Sequence, residues 1–589
     1  AGGTTTIAAA NVTLQGSNSA HGGFAQIGFA GAGATGAVTV ATSGDVTLAA
    51  GTAGCVASCI GAPFAQIGHG GFQTIGSESG AITVTAGGDV TLTAAGAPNA
   101  YAQIGHGGAF ANAFASLGAA AVFADNGAID VTGNVVTLAA GSGSGAYAQI
   151  GHGGLDASFG AHAGSLTYSG DIAVMATGAL SLVGGGSDAY AQIGNGGAYS
   201  DRVAAATIAD TGAITVAGTM VALAAGVGAD AYAQIGNGGF EAASSSFAAS
   251  STFSGDISVT ATGTLTLTGA GSNSYAQIGN GGDATNLDAL LTGGAITDSG
   301  NLIVLIGTST SSGALFMRGD AFAQIGNGGW TDNDGAVGAS GMSASGAITV
   351  TINGALGSAS LNGGDTGAFA YAQIGNGDAG HASVGDASGD ILITVASPIA
   401  LNSGTAGLAW IGNATGQGVV SGVTSLHDTP PPSPSPSPSP PSPPVLSDAQ
   451  AAAQMALLTG NTSSSSADTT GLTTAPTGPT NEPASSASGA APSSTTVGPL
   501  EAMTNTQSSP DAGVGNGAAH EGEDLSSGIF SSLAGEPGVP RNGRWSTRCT
   551  NTNTFVCEML PEPRPTDTPQ SVQPIELTYS NWGNEAYWQ

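Results

Sequence analysis

The sequence predicts an all-β chain: a parallel β-helix (β-solenoid) of about ten repeats near 42 residues, followed by a disordered Pro/Ser/Thr-rich tail. Three observations predict it. The string aromatic-Ala-Gln-Ile-Gly recurs nine times, at Gln26, Gln66, Gln103, Gln149, Gln192, Gln234, Gln277, Gln324 and Gln373, and a tenth, altered copy carries Trp410. The intervals run from 37 to 49 residues, the signature of one supersecondary unit stacked on the next. Between the copies the chain alternates apolar and polar residues with period two. Residues 1–427 contain no apolar stripe of helical period.

Each repeat reads as three pieces. In the third they are GAITVTA (80–86), GGDVTLTAAG (87–96) and AYAQIGHGG (100–108). The first two favour Ile, Val, Leu and Thr in strict alternation, the pattern of strands with one buried face. Gly-Asp and Gly-Gly pairs at their ends supply tight turns. A variable stretch follows, such as FEAASSSFAASSTFS (240–254), with room for one or two further strands. A coil of about twenty residues, at the short end of the solenoid range, makes each repeat two coils. Strands about 4.8 Å apart then give a rod on the order of 95 Å; one large coil per repeat halves it.

Within AYAQIG the period of two sets Ala and Ile on one face, the aromatic and Gln on the other. The Ala-x-Ile pairs, among them Ala102 with Ile104, Ala148 with Ile150, Ala191 with Ile193, Ala233 with Ile235 and Ala276 with Ile278, are assigned to the dry interior. The facing rows are assigned to an outer ladder offering amphipathic rings and amides to a ligand. They include Tyr101 with Gln103, Tyr147 with Gln149, Tyr190 with Gln192, Tyr232 with Gln234, Tyr275 with Gln277 and Tyr371 with Gln373. The opposite arrangement, an inner aromatic stack with an amide ladder, stays open.

At residue 428 the composition changes. Residues 428–446 are a Pro/Ser-rich linker of polyproline II type. Residues 447–540 are rich in Ser, Thr, Ala, Gly and Pro and read as disordered, with a short helix expected over 447–459. Residues 541–589 form a small segment with Cys549, Cys557 and three tryptophans. The cysteine pairs, Cys55 with Cys59 and Cys549 with Cys557, lack the two-residue spacing of zinc or redox motifs, and their disulfide state is left open.

Charge narrows the function. Only 7% of residues are charged, none is lysine, and the net charge is −32. Residues 1–427 hold two basic side chains, Arg202 and Arg318. Nucleic acid and anionic lipid surfaces, which need clustered cations, are not expected partners. No apolar run reaches the eighteen residues of a membrane-spanning helix, so no membrane insertion is expected.

The chemical motifs read as structural. GHGG and GNGG lack the Lys and the helix of a phosphate loop. His69, His106 and His152, followed by Asn at the same position in later repeats, are read as a turn ladder, since two coils per repeat would hold the rings about 9.6 Å apart, too far to share a metal. Asp45, Asp89, Asp171, Asp256 and Asp390 sit at strand starts and are read as turn formers, not a calcium array. Outward threonines occur too irregularly for a lattice-matching, ice-binding face. No catalytic constellation, metal or cofactor is expected.

The strings GAITVTA, GDVTLTAAG and AYAQIGHGG resemble the repeats of filamentous haemagglutinin-like large exoproteins, adhesins exported by two-partner secretion. The resemblance covers residues 1–427. It implies a right-handed parallel β-helix outside the cell or on its surface, an outer-membrane transporter for export, and adhesion or aggregation through host or neighbouring-cell glycans or proteins. The family's N-terminal secretion domain is not found in the sequence. The alternative is an extracellular structural filament that self-associates by pairing its open strand edges.

Overall fold

The computed structural model describes residues 2–18, 23–52, 62–365, 370–379, 385–405, 407–414 and 419–427, and four strands between Trp545 and Trp588. Cys55 and Cys59, the linker 428–446 and the region 447–540 with its expected helix lie outside the described residues.

Each repeat is one coil, not two. In the third repeat the coil runs through strands Ile82–Ala86, Val90–Thr93, Tyr101–Ile104 and Ser116–Asn126. Tyr101–Ile104 pairs in parallel with Phe64–Ile67 on one side and Tyr147–Ile150 on the other, residue for residue. Successive copies of the string are therefore adjacent strands. The forty-odd residues are consumed by a wide, two-lobed path rather than a second turn of the helix. Ten copies joined by nine steps of about 4.8 Å span roughly 43 Å, under half the length expected of two coils per repeat.

The strands form three parallel sheets. A front sheet of nineteen strands collects the first two strands of each coil, a middle sheet of ten collects the AQI strands, and a back sheet of eight collects the last. Inward Ile, Val and Leu of the front sheet, such as Val84 and Leu92, meet the Ala-x-Ile row of the middle sheet in one continuous core. The row assigned to the interior is there throughout. Ala102, Ala148, Ala191, Ala233 and Ala276 are fully buried in this core, and so are Ile104, Ile150, Ile193, Ile235 and Ile278.

The Tyr/Gln face is also buried, which corrects its outward assignment. Tyr101, Tyr147, Tyr190, Tyr232, Tyr275 and Tyr371 are 0% exposed, as are Gln103, Gln149, Gln192, Gln234, Gln277 and Gln373. Their rings stack coil upon coil with centroids 4.6–5.1 Å apart and planes within 9°. The reason is the second lobe: the middle strand has protein on both faces, as strands of an enclosed parallel sheet do. Alternation separates two faces, but it cannot say that one of them is wet. The aliphatic face, Ile235 and Ile278 included, was placed correctly because it is buried on either reading. Only the opposite face depended on what lies beyond it.

The second lobe is closed by the variable stretch, whose first half is a ribbon of turns and whose second half is the back strand. In coil three the N–H groups of Ala111, Ala113 and Ala115 donate to the carbonyls of Gly108, Phe110 and Asn112. The intervening Phe110, Asn112 and Phe114 have φ of 57°, 58° and 56°. Their N–H groups point alternately along the stack, Phe110 and Phe114 donating to the next coil and Asn112 to the previous one. The same alternation recurs at Asp156, Ser158 and Gly160 and at Ala284, Asn286 and Asp288. Left-handed residues every second position favour Asn, Asp and Gly there and destroy the strand-like hydrogen bonding that the alternating sequence suggests.

The four described strands between Trp545 and Trp588 belong to a separate compact unit. They form an antiparallel sheet in which Cys549 lies directly opposite Cys557.

Ile193→Ala, which empties a fully buried position of the front lobe, is expected to lower the unfolding free energy by about 2–4 kcal/mol. Equilibrium denaturation of the variant against the parent chain measures this.

Candidate functional surface and the ladders behind it

The G-[His/Asn]-G turn after each AQI strand is where the coils are fastened. The glutamine of one coil donates its side-chain amide to two turn carbonyls of the next. Gln103 Nε2 reaches Gly151 O and Gly153 O, both at 3.0 Å, and Gln192 reaches Gly236 O (3.0 Å) and Gly238 O (2.8 Å). The hydroxyls of Tyr232, Tyr275 and Tyr371 donate to the side-chain oxygens of Gln192, Gln234 and Gln324 one coil back. The first glycine of the turn is obligatory because a Cβ on Gly105 would overlap the carbonyl of Gly151. The glycine just after the turn is also tightly placed, since a Cβ on Gly108 would come within 2.6 Å of the Tyr101 hydroxyl.

The residue between the glycines works in the opposite direction. Asn280 Oδ1 accepts the backbone N–H of Asn237 in the preceding coil at 3.0 Å, and its Nδ2 donates to Gly255 O and Ser299 O at 2.8 Å. It thus ties the middle strand's turn to the corner joining back and front sheets. Histidine does the same job. His106 Nδ1 accepts His69 N–H at 3.0 Å, and Nε2 lies 2.8 Å from Gly80 O. A ring that accepts at Nδ1 and donates at Nε2 is neutral, with both nitrogens occupied.

The imidazoles stack at 4.8 and 4.9 Å, half the spacing expected for two coils per repeat. No group of three or more His, Cys, Asp or Glu among the described residues is arranged to hold a metal. Burial pushes the His69 and His106 imidazoles down, and His152 down to about 4.

The turn aspartates are also fasteners. Asp45 accepts the N–H of Asp89, Asp89 that of Val135, Asp171 that of Ala213, Asp256 that of Asn301 and Asp390 that of Val423, each one coil on.

Sequence reasoning missed the carboxyl pairs of the back lobe. Along the back sheet one inward row reads Asp125, Tyr168, Asp210, Phe253, Asp298. Three buried carboxyl pairs act on one another: Glu78 with Asp125, Asp201 with Asp210, and Asp298 with Asp332; the Glu78 backbone N–H donates to Asp125 Oδ1 at 2.9 Å. Neither oxygen of Asp210 meets a donor from any other group, so its protonated, uncharged form is favoured there. Burial first, then the neighbouring carboxylate, hold Asp125, Asp210 and Asp332 well above the ordinary range. Burial likewise carries Asp156 up to about 7, against the pull of the Arg202 guanidinium. The signal in the sequence was the ribbon's acids recurring at unequal intervals, which no single-repeat motif displays.

With both ladders inside, the outer face of the front sheet is one long surface in register that stays exposed. One row along it runs Thr13, Thr47, Thr91, Thr137, Ser181, Ala222, Thr266, Phe316, Ser360 in continuous register. The parallel row runs Thr39, Thr83, Asp130, Ala173, Thr215, Ser258, Ile303, Thr349, Leu392. Hydroxyls and aliphatic groups dominate both rows, and Asp130 is their one charge. Such a face can offer paired donors and acceptors with apolar contact between them.

No family model, no curated protein and no solved structure matches this chain.

The two kinds of buried group give stability opposite pH dependences. An unfolded histidine titrates near 6.5, so between pH 6.5 and about 4 the unfolded chain binds more protons than folded His152, and stability falls as pH drops through that window. His152→Asn, which keeps both fastening bonds, is expected to leave stability unchanged above pH 7 and to raise it below 6. For the carboxyl pairs the folded chain binds the extra proton, so their contribution is present below about pH 4 and is lost as pH rises through their raised values. Asp210→Asn is therefore expected to raise the melting temperature at pH 8 more than at pH 5. Thermal melts of each variant across pH 4–9 measure both effects.

Proposed function

We propose that the chain acts as an extracellular or cell-surface adhesin-like rod, in which the outer face of the front sheet makes the contacts. The carrying observation is the long register of outward hydroxyl and aliphatic side chains on an almost uncharged surface. Rigid rows repeated at the strand spacing suit an extended partner, a glycan or a protein surface, held by many weak contacts at once. The resemblance of the repeats to filamentous haemagglutinin-like exoproteins supports the same reading. It also supports right-handed winding, the sense that parallel crossovers take. The binding role expected of the buried Tyr/Gln ladder passes to the front sheet. The ladder's role is to hold that sheet flat and in step.

The test is a glycan and matrix-protein binding screen with the full chain, followed by substitutions on the front face. Thr47→Lys, Thr91→Lys and Thr137→Lys together are expected to weaken binding at least tenfold, whereas Tyr147→Phe, inside the rod, leaves it unchanged. Because the two rows carry a single charge, Asp130, raising the salt from 0.05 to 0.5 M should change affinity little. Equal binding by the triple variant and the parent would refute the assignment.

A further inference from the structure

Coils eight and nine raise a ridge on the front face. In coil seven, where the two front strands run on as Ile257–Gly269, three residues separate the inward Ala261 and Leu265. Their register partners in coil eight, Ile306 and Leu315, are separated by eight residues, and those in coil nine, Ile352 and Ala359, by six. The extra residues are ordered against one another. Asn353 N–H donates to Ile306 O at 2.7 Å, Gly313 N–H to Asn353 O at 2.9 Å and Leu356 N–H to Ser312 Oγ at 3.1 Å. Within the first loop Ser311 N–H donates to Thr308 Oγ1 at 2.9 Å. Loops bonded in this way form a fixed wall between the two outward rows, and Leu356 stands 80% exposed on it.

The strand that leaves this wall, Ala314–Gly319, turns Phe316 and Arg318 to the outside, each about half exposed. Two residues apart on one strand, they lie about 7 Å from each other. Thr266 and Ser360 flank Phe316 on the neighbouring coils, and Thr268 and Asn362 flank Arg318. Arg318 is one of the two basic side chains of residues 1–427, and its guanidinium is held in place. Nε and Nη2 donate to the two carboxylate oxygens of Asp320 at 3.0 and 3.1 Å, and Asp365 Oδ2 lies 4.0 Å from Nη2. Nη1 carries two further donors. Asn362 Oδ1 accepts Gly364 N–H at 2.9 Å, so what this side chain has left to offer is its Nδ2 amide.

We infer that Phe316, Arg318 and Asn362, walled by the ridge, form a subsite for a sugar ring of a neutral glycan. Phe316 supplies a flat apolar platform for the C–H face of the ring. Arg318 and Asn362 supply planar donors to its hydroxyls, one strand spacing of about 4.8 Å apart. The floor around the ring is hydroxyl-bearing, through Thr266 and Ser360, whereas an anchor for a protein partner sits in a dry apolar pocket. Charge selects the kind of glycan. Asp320 and Asp365 more than cancel the guanidinium, so a carboxylated or sulfated sugar meets a net negative site. The inference rests on the front-face reading and narrows it to one chemical class and one place on the rod.

The test titrates the full chain with a panel of neutral disaccharides, shorter than the roughly 19 Å between coils four and eight, and with their sulfated and carboxylated counterparts. The parent is expected to bind at least one neutral sugar, and to bind its anionic counterparts more weakly. Phe316→Ser and Arg318→Thr, which copy the residues flanking these positions, should each weaken that binding roughly tenfold or more. Phe316→Tyr keeps the ring and should keep the affinity, and Arg318→Thr serves if Phe316→Ser loses its β-sheet circular dichroism. The Thr47→Lys, Thr91→Lys and Thr137→Lys variant should bind the short sugar like the parent, because coils two to four lie beyond its reach. Unchanged binding by the folded Phe316→Ser and Arg318→Thr variants overturns the subsite and leaves the front-face reading standing. So does a parent that binds matrix proteins but none of the sugars. Tighter binding of an anionic sugar, lost as salt rises, overturns the neutral class.

Discussion

The structure depends on one polar junction, the G-x-G turn at the end of each middle strand. Backbone pairing alone would let successive coils slide, since neighbouring strands of similar sequence have little to choose between registers. Here each turn is held from one side by glutamine amides and from the other by an Asn or His side chain, and both sets of bonds end on backbone groups. Buried hydrogen bonds of this kind each contribute about 1 kcal/mol net, and a partner left unsatisfied costs more. The register is therefore fixed nine times over. The close approach it demands explains the glycines: a Cβ at the first position would overlap the next coil's carbonyl.

From that junction the two lobes follow. The front lobe is a dry aliphatic core, fed by the alternation of Ile, Val and Leu with Thr. The back lobe is mixed. It holds the tyrosine stack, the tips of the amide ladder and three carboxyl pairs in one enclosure. Stacked rings at the strand spacing suit a compartment in which every coil meets an almost identical neighbour, and its burial favours protonated carboxyls. Histidine and asparagine are interchangeable at the fastening position because a neutral imidazole and a carboxamide place one acceptor and one donor in nearly the same directions.

A stack fastened internally leaves the outward side chains of its front sheet free of structural duty. The outward rows of the front sheet vary from coil to coil, Thr to Ser to Ala to Ile, while the rows facing inward hardly vary at all. That division separates a nearly invariant frame from a face that can change residue by residue without cost to the frame. The low charge of the chain, awkward for solubility, is consistent with contacts made by hydroxyl and aliphatic groups.

The sequence by itself determined the all-β class, the repeat boundaries, the strands, the Ala/Ile core row from Ile104 to Ile278 and the turn role of the His, Asn and Asp residues. All of these are local: a period of two, a recurring string, a turn residue beside glycine. It did not determine how many coils a repeat makes or which way Tyr and Gln face. The ribbon that widens the coil, with left-handed residues at Phe110, Asn112 and Phe114, carries the same loose alternation as a strand. A row of tyrosines looks identical in sequence whether water or another lobe lies beyond it. The carboxyl pairs join residues separated by nine (Asp201 and Asp210) or by more than thirty (Glu78 with Asp125, Asp298 with Asp332), and the ladders' direction exists only between coils. Those features were decided by the path of the chain in space, because they are properties of neighbours along the stack rather than of neighbours along the chain.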